Sequence, residues 1–411
     1  VAPAPAPAPP PAIPAAPVAA LECAPKPKKR PRKSSATTPA AAGNLQKITI
    51  KGDDGKSRKI RDFWPVDDNG DLVLAMITGD VGCLSRCDAT DDEDGGDSEK
   101  LFEGAVRWLS PRTGGTKGNC DAAAFAAGKV VLGYAAGAAR PLEVLDAATG
   151  ARTPGAAGGD RLTKGVHALA WAPRAAWFAA GGQNADTSKH EIFVARPSGF
   201  GSWYLFTELP RLHSSRVTAL CATADAAGLV SAGADGRLAW WDVNDKRLKR
   251  EICDKNTRSS YTDLCLRPDG LIAATARVPN TADDAPGYGL DVFDPRKRFE
   301  RVGFLSPDDS LSGLVAARWS DDNNWVTLGS TDGTVKIFDL RKGLDARTRA
   351  VVTCAGASRG LPDVVGQARV LETPGRRLVF AASCASHLVV HAWTPPTLYG
   401  GGGGAPAMTI R

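Results

Sequence analysis

The chain has 411 residues, a formal net charge of +6, 43% hydrophobic and 23% charged residues. These proportions are those of a soluble globular protein, and the length accommodates two or three ordinary domains or one large closed all-β domain. No apolar run approaches the ~18 residues that cross a bilayer, which argues against a helical membrane protein.

Residues 1–44 stand apart. Val1 to Ala20 is almost wholly Ala and Pro, a composition that favours extended conformations and cannot bury a core. It has no basic stretch followed by a compact apolar block, so no secretory signal is expected. The run Lys28, Lys29, Arg30, Pro31, Arg32, Lys33 follows, and the whole segment is predicted to be a disordered tail. From about Leu45 to Thr397 the pattern is continuous and repetitive. Residues 398–411 carry five consecutive glycines, Gly400 to Gly404, and are predicted to form a flexible tail.

Three echoes reveal the repeat within 45–397. Trp171 and Trp177 have the same spacing as Trp319 and Trp325, each pair flanking a turn between apolar strands. Thr218-Ala-Leu-Cys221 matches Thr262-Asp-Leu-Cys265. Ser231-Ala-Gly-Ala-Asp-Gly-Arg-Leu-Ala-Trp-Trp-Asp242 matches Gly329-Ser-Thr-Asp-Gly-Thr-Val-Lys-Ile-Phe-Asp339, with the Asp-Gly pair at the same distance from an aromatic-Asp pair. Asp-Gly between alternating apolar runs marks a hairpin, because its turn needs positive φ. Helical periodicity is hard to find, and many short strands with regular turns point to a closed all-β architecture.

The segment Leu212-His213 … Ser231 … Asp235-Gly236 … Trp241-Asp242 resembles a WD repeat. That resemblance implies blades of four antiparallel strands, with His213, Ser231, Asp235 and Trp241 in a buried hydrogen-bond network. The repeat ending at Phe338-Asp339 keeps Asp332 but has Phe in place of Trp. Third strands are predicted to end at Cys87-Asp88, Leu145-Asp146, Phe193, Trp241-Asp242, Phe293-Asp294, Phe338-Asp339 and Trp393, which implies a seven-bladed β-propeller. The last blade lacks an outer strand before the glycine run. The alternating Leu45–Ile50 segment is predicted to supply it and close the ring.

Candidate functional residues fall in two groups. The Lys28–Lys33 run resembles a monopartite nuclear localisation signal and places the protein in the nucleus; the alternative is a solvated basic tail. Asp294-Pro-Arg296 and Asp339-Leu-Arg341 look like the Asp-x-Arg motif of WD-repeat receptors that dock onto the linker protein of cullin-4 ubiquitin ligases; the alternative is a local salt bridge at each blade edge. The acidic stretch Asp88 to Glu99 reads as a surface insertion or as a contact for basic histone or ribosomal segments. Lys246–Arg250 and Arg296–Arg298 read as solvated turns or as nucleic-acid contacts.

Enzyme signatures are missing. Five histidines are present, with no Gly-x-Ser-x-Gly, phosphate loop or zinc-protease motif. Nine scattered cysteines read as reduced thiols, and Cys83 and Cys87 lack the second pair a zinc site needs, so no metal or cofactor is expected. The expected function is a nuclear protein-interaction scaffold in a chromatin, RNA-processing or ribosome-assembly complex. The alternatives are a cullin-4 substrate receptor linked to DNA damage and a propeller that binds DNA, RNA or histones directly.

Overall fold

The computed structural model describes residues 46–393 and 408–410, apart from 67–70, 88–101, 104, 111–118, 139, 155–158, 173–175, 198–202, 254–259, 268, 279–286, 306–313, 321–323, 332, 334, 340–351, 355–364, 373–377 and 385. The chain divides into two units, residues 1–38 and 39–411, and every described residue lies in the second. The Lys28–Lys33 run, the Asp88–Glu99 stretch, Asp332 and Arg341 fall outside the described residues.

The fold is an all-β propeller. Among the described residues the strands form seven sheets. Strand β1 (Gln46–Thr49) is set aside for the last of them. Sheet I holds β2 (Ile60–Pro65), β3 (Leu72–Met76), β4 (Val81–Leu84) and β5 (Arg107–Ser110). Sheet II holds β6 (Cys120–Ala126), β7 (Lys129–Tyr134), β8 (Leu142–Asp146) and β9 (Arg152–Pro154). Sheet III holds β10 (Val166–Trp171), β11 (Phe178–Gln183), β12 (His190–Pro197) and β13 (Trp203–Glu208). Sheet IV holds β14 (Val217–Ala222), β15 (Gly228–Gly233), β16 (Arg237–Asp242) and β17 (Arg247–Cys253). Sheet V holds β18 (Ser260–Leu266), β19 (Ile272–Val278), β20 (Gly287–Asp294) and β21 (Glu300–Leu305). Sheet VI holds β22 (Leu314–Trp319), β23 (Trp325–Ser330), β24 (Val335–Asp339) and β25 (Val352–Cys354). Sheet VII joins β26 (Val365–Glu372), β27 (Leu378–Cys384) and β28 (His387–Trp393) to β1, which pairs with β28 as the outer strand the sequence calls for.

Two expectations are corrected. The third strand of sheet I ends at Leu84, so Cys87 lies three residues beyond it. Within the predicted flexible tail, β29 (Met408–Ile410) pairs parallel with Val352–Cys354 and widens sheet VI. A parallel edge pairing needs no hairpin turn and leaves no local pattern to read.

The first strands of successive sheets pack on one another in a closed circuit, with β26 returning to β2. Apolar side chains fill the spaces between sheets. On β7, Val130 and Leu132 join the cluster shared with sheet I, and Val131 joins the one shared with sheet III. Both faces of such a strand are buried, so period-two alternation sorts side chains between neighbours rather than between core and water. The tryptophan echo has the same basis. Trp171 Nε1 donates to Ala124 O at 3.0 Å and Trp319 Nε1 to Cys265 O at 3.3 Å, each reaching the inner strand of the preceding sheet. Close approach is secured by glycine: a Cβ on Gly133 would lie 2.5 Å from Val166, and one on Gly181 2.8 Å from Val217.

Candidate interaction site

Every inner strand carries a register shift near its start. The interrupted pairs are Ile60/Asp62, Cys120/Ala122, Val166/Ala168, Val217/Ala219, Tyr261/Asp263, Leu314/Ala316 and Val365/Gln367. A bulge leaves one residue unpaired and re-aims its side chain. The bulged residues in sheets I to V are Arg61, Asp121, His167, Thr218 and Thr262, so polar groups gather at one end of the inner ring.

That end carries a charged cluster drawn from four sheets. His167 Nδ1 lies 3.4 Å from Asp121 Oδ2, and Arg216 Nη2 lies 3.9 Å from the same oxygen. The imidazole of His167 beside it holds the Asp121 carboxyl below its usual range against the effect of burial, with help from Arg216 and Arg61. His190 is pushed below the ordinary histidine range by burial and by the charge of His167. Its Nδ1 is buried without a hydrogen-bond partner. Lys59, Lys164, Lys189 and Arg216 are exposed around the cluster.

Deeper along the inner strands runs a buried ionic chain. Arg369 Nη2 donates to Asp62 Oδ1 at 3.0 Å, Arg318 Nη2 lies 3.7 Å from Asp62 Oδ2, and Arg318 also pairs with Asp263. Burial weighs against the Arg318 charge, but Asp263 and Asp62 outweigh it and hold the guanidinium protonated. The chain ties sheets VII, I, VI and V together. None of it was anticipated from sequence, because Asp62 and Arg369 are 307 positions apart.

The predicted network residues meet. His213 Nδ1 lies 3.2 Å from Asp235 Oδ1 and its Nε2 2.8 Å from Ser231 Oγ, while Trp241 Nε1 donates to Ser231 Oγ at 2.8 Å. Burial pushes the Asp235 carboxyl up, but His213 and the amides of Ser214 and Arg237 outweigh it and hold it low. Neighbouring sheets solve the same problem with other residues. Sheet III pairs buried Glu191 with Arg211 at 2.6 Å, and sheet II holds Glu143 between Tyr134 and Arg152, each at 2.7 Å.

The Asp294–Arg296 pair is a local one. Arg296 donates to Asp294 from its backbone N and Nε at 3.0 Å and from Nη2 at 3.2 Å, yet its side chain is 65% exposed. Asp339 is buried at the end of β24. Among the described residues no group of three His, Cys, Asp or Glu is placed to hold a metal.

The sequence profile described as "WD domain, G-beta repeat" matches residues 207–242 and 305–339. These segments cover the first three strands of sheet IV and of sheet VI, including the His213–Trp241 network. The chain is a β-propeller that carries WD repeats at these two segments. A curated relative, "Autophagy-related protein 16" of Arabidopsis thaliana, is 27% identical over 189 residues, which cover 43% of this chain and 34% of the relative. This propeller therefore spans about a third of that relative's length. WD-repeat propellers typically bind protein partners.

Proposed function

We propose that this chain is a seven-bladed scaffold of the nucleus, each sheet being one blade, that holds protein partners of a chromatin, RNA-processing or ribosome-assembly complex. The observation that carries the reading is the polar mouth of the inner ring, where Arg61, Asp121, His167, His190 and Arg216 from four sheets converge beside exposed lysines. A rigid ring offers such a surface pre-organised, so little conformational freedom is lost on binding. The Lys28–Lys33 run supports import into the nucleus.

Two partner classes have support from a specific observation. Arg296, exposed and oriented by Asp294, fits the docking arginine of a cullin-4 receptor. The resemblance to autophagy-related protein 16 supports an adaptor in autophagy instead. One experiment separates the readings: quantitative affinity purification from nuclear and cytosolic extracts with wild type, Arg61→Glu/Arg216→Glu and Arg296→Glu/Arg341→Glu. Nuclear partners lost only with the first variant uphold the proposal. Loss of the cullin-4 linker with the second variant selects the receptor reading, and exclusively cytosolic autophagy partners overturn the nuclear one.

A further inference from the structure

The two basic runs noted in the sequence, Lys246–Arg250 and Arg296–Arg298, lie on adjacent sheets. Arg296–Arg298 sits at the turn between the third and outermost strands of sheet V, and in sheet IV Lys246 sits at the matching turn with Arg247–Arg250 following on β17. Lys246 and Arg298 both adopt φ 56°, and Phe299 follows at φ 61°. Bulky residues take left-handed φ only when surrounding contacts enforce it. Here the turn buries Phe299 and leaves Arg296, Lys297 and Arg298 in solvent.

Aromatic contacts join the two runs. Phe299 stacks on Phe293 at 5.3 Å and on Trp240 of sheet IV at 6.0 Å. Lys249 Nζ stands 5.0 Å over the Trp240 ring. The exposed stretch Asn244–Arg250 therefore continues across Trp240 and Phe299 into the exposed turn of sheet V, and Arg301 on β21 extends it. Some of these cations are already neutralised: Arg247 by Asp245, Lys249 by Asp242, Arg296 by Asp294 and Arg301 by Asp291. Arg250 and Arg298 have no acidic partner among the described residues.

We infer that this outer edge of sheets IV and V binds the phosphate backbone of a nucleic acid. Arginine dominates the edge, and its planar fork matches phosphate oxygens in pairs, whereas a lysine acts as a point charge. The aliphatic residues of the patch, Leu248 between Arg247 and Lys249 and Val302 after Arg301, are only 36% and 42% exposed, too little apolar area to insert into a lipid surface. Exposed aromatic platforms for stacking bases are not part of it, so the binding is read as backbone-directed and indifferent to sequence.

The test is fluorescence anisotropy of the full chain with a 20-base-pair DNA duplex between 50 and 200 mM salt. It is repeated with Arg250→Gln/Arg298→Gln and with the tail run Lys28, Lys29, Arg30, Arg32 and Lys33 replaced by Gln. The expected result is a log–log salt slope that falls by about 2 in the edge variant, with roughly tenfold weaker binding, in both tail backgrounds. Both substitutions are at exposed positions, and unchanged melting of the variant confirms that the fold is intact. A slope unaffected by the edge substitutions, or binding that vanishes with the tail alone, overturns the inference. So does a polyglutamate peptide, or a phosphatidylserine vesicle, that binds as tightly with the same sensitivity while the duplex does not.

Discussion

Ser231 saturates two buried groups with one hydroxyl. It accepts from Trp241 Nε1 and lies 2.8 Å from His213 Nε2, so its own proton goes to that nitrogen. The network then assigns the remaining imidazole proton to Nδ1, which donates to Asp235. Ser231→Ala leaves the indole and His213 Nε2 buried without partners, and is expected to lower stability by about 2–3 kcal/mol in urea titration. Ser231→Thr keeps the hydroxyl and is expected to cost less. His190 behaves differently. Its folded-state value is lowered from 6.5 by burial and by His167, so below pH 6.5 the unfolded chain binds more protons than the folded one. Stability is therefore full above pH 6.5 and declines as the pH falls through that window. Melting temperatures from pH 8 to 5 are expected to fall less in His190→Gln than in wild type. The His213 network was legible because its four residues sit within one repeat at fixed offsets. Glu143 and Glu191 were not, because each pairs with an arginine at a different spacing, Arg152 and Arg211, so no fixed offset marks the pair.

At the level of strands, alternation and Asp-Gly turns revealed the sheets, and the tryptophan echo marked equivalent ends of inner strands. The bulges left a trace only at Thr218 and Thr262, which open the matching Thr-x-Leu-Cys segments; Arg61, Asp121 and His167 in sheets I to III share no such pattern. The ionic chain was equally hidden, because its members occupy four separate strands. Its energetics are set by what remains when one member is lost. Asp62 is 6% exposed and faces both Arg369 and Arg318. Asp62→Ala leaves the buried Arg369 without its carboxylate while Arg318 keeps Asp263, and is expected to cost about 3–5 kcal/mol. Arg369→Met removes one charge and leaves Asp62 with Arg318, so the loss is expected to be smaller. A double-mutant cycle between the two positions, read by chemical denaturation, is expected to show strong coupling. Additive losses would mean that the residues act independently.

For the whole molecule, ring closure depends on a strand that is four residues long, whose last residue, Thr49, pairs with His387 at the start of its partner. The alternation in 45–50 made this legible; the β29 pairing was not, since it follows a glycine run with no strand-like surroundings. Strand β1 is held in three ways. It pairs in register with β28, Gln46 with Val390 through Thr49 with His387. The Gln46 amide brackets the backbone of Phe102, donating to its carbonyl at 2.7 Å and accepting from its N–H at 3.1 Å. Ile48 and Ile50 enter the cluster that also contains Phe63, Leu388 and Val390. Without β1 the backbone groups of β28 face solvent as an open edge, a template for pairing with another chain. Truncation to residue 45 is expected to leave the melting temperature unchanged, because β1 begins at Gln46 and is kept whole. Truncation to residue 51 is expected to lower it sharply and to produce soluble aggregates by size-exclusion chromatography. Ile48→Ala, which keeps the strand pairing but empties its buried side chain, is expected to fall between them at about 2–5 kcal/mol. Equal melting of the two truncated chains would mean that closure rests on the contacts of sheets VII and I alone, and that β1 is an accessory edge.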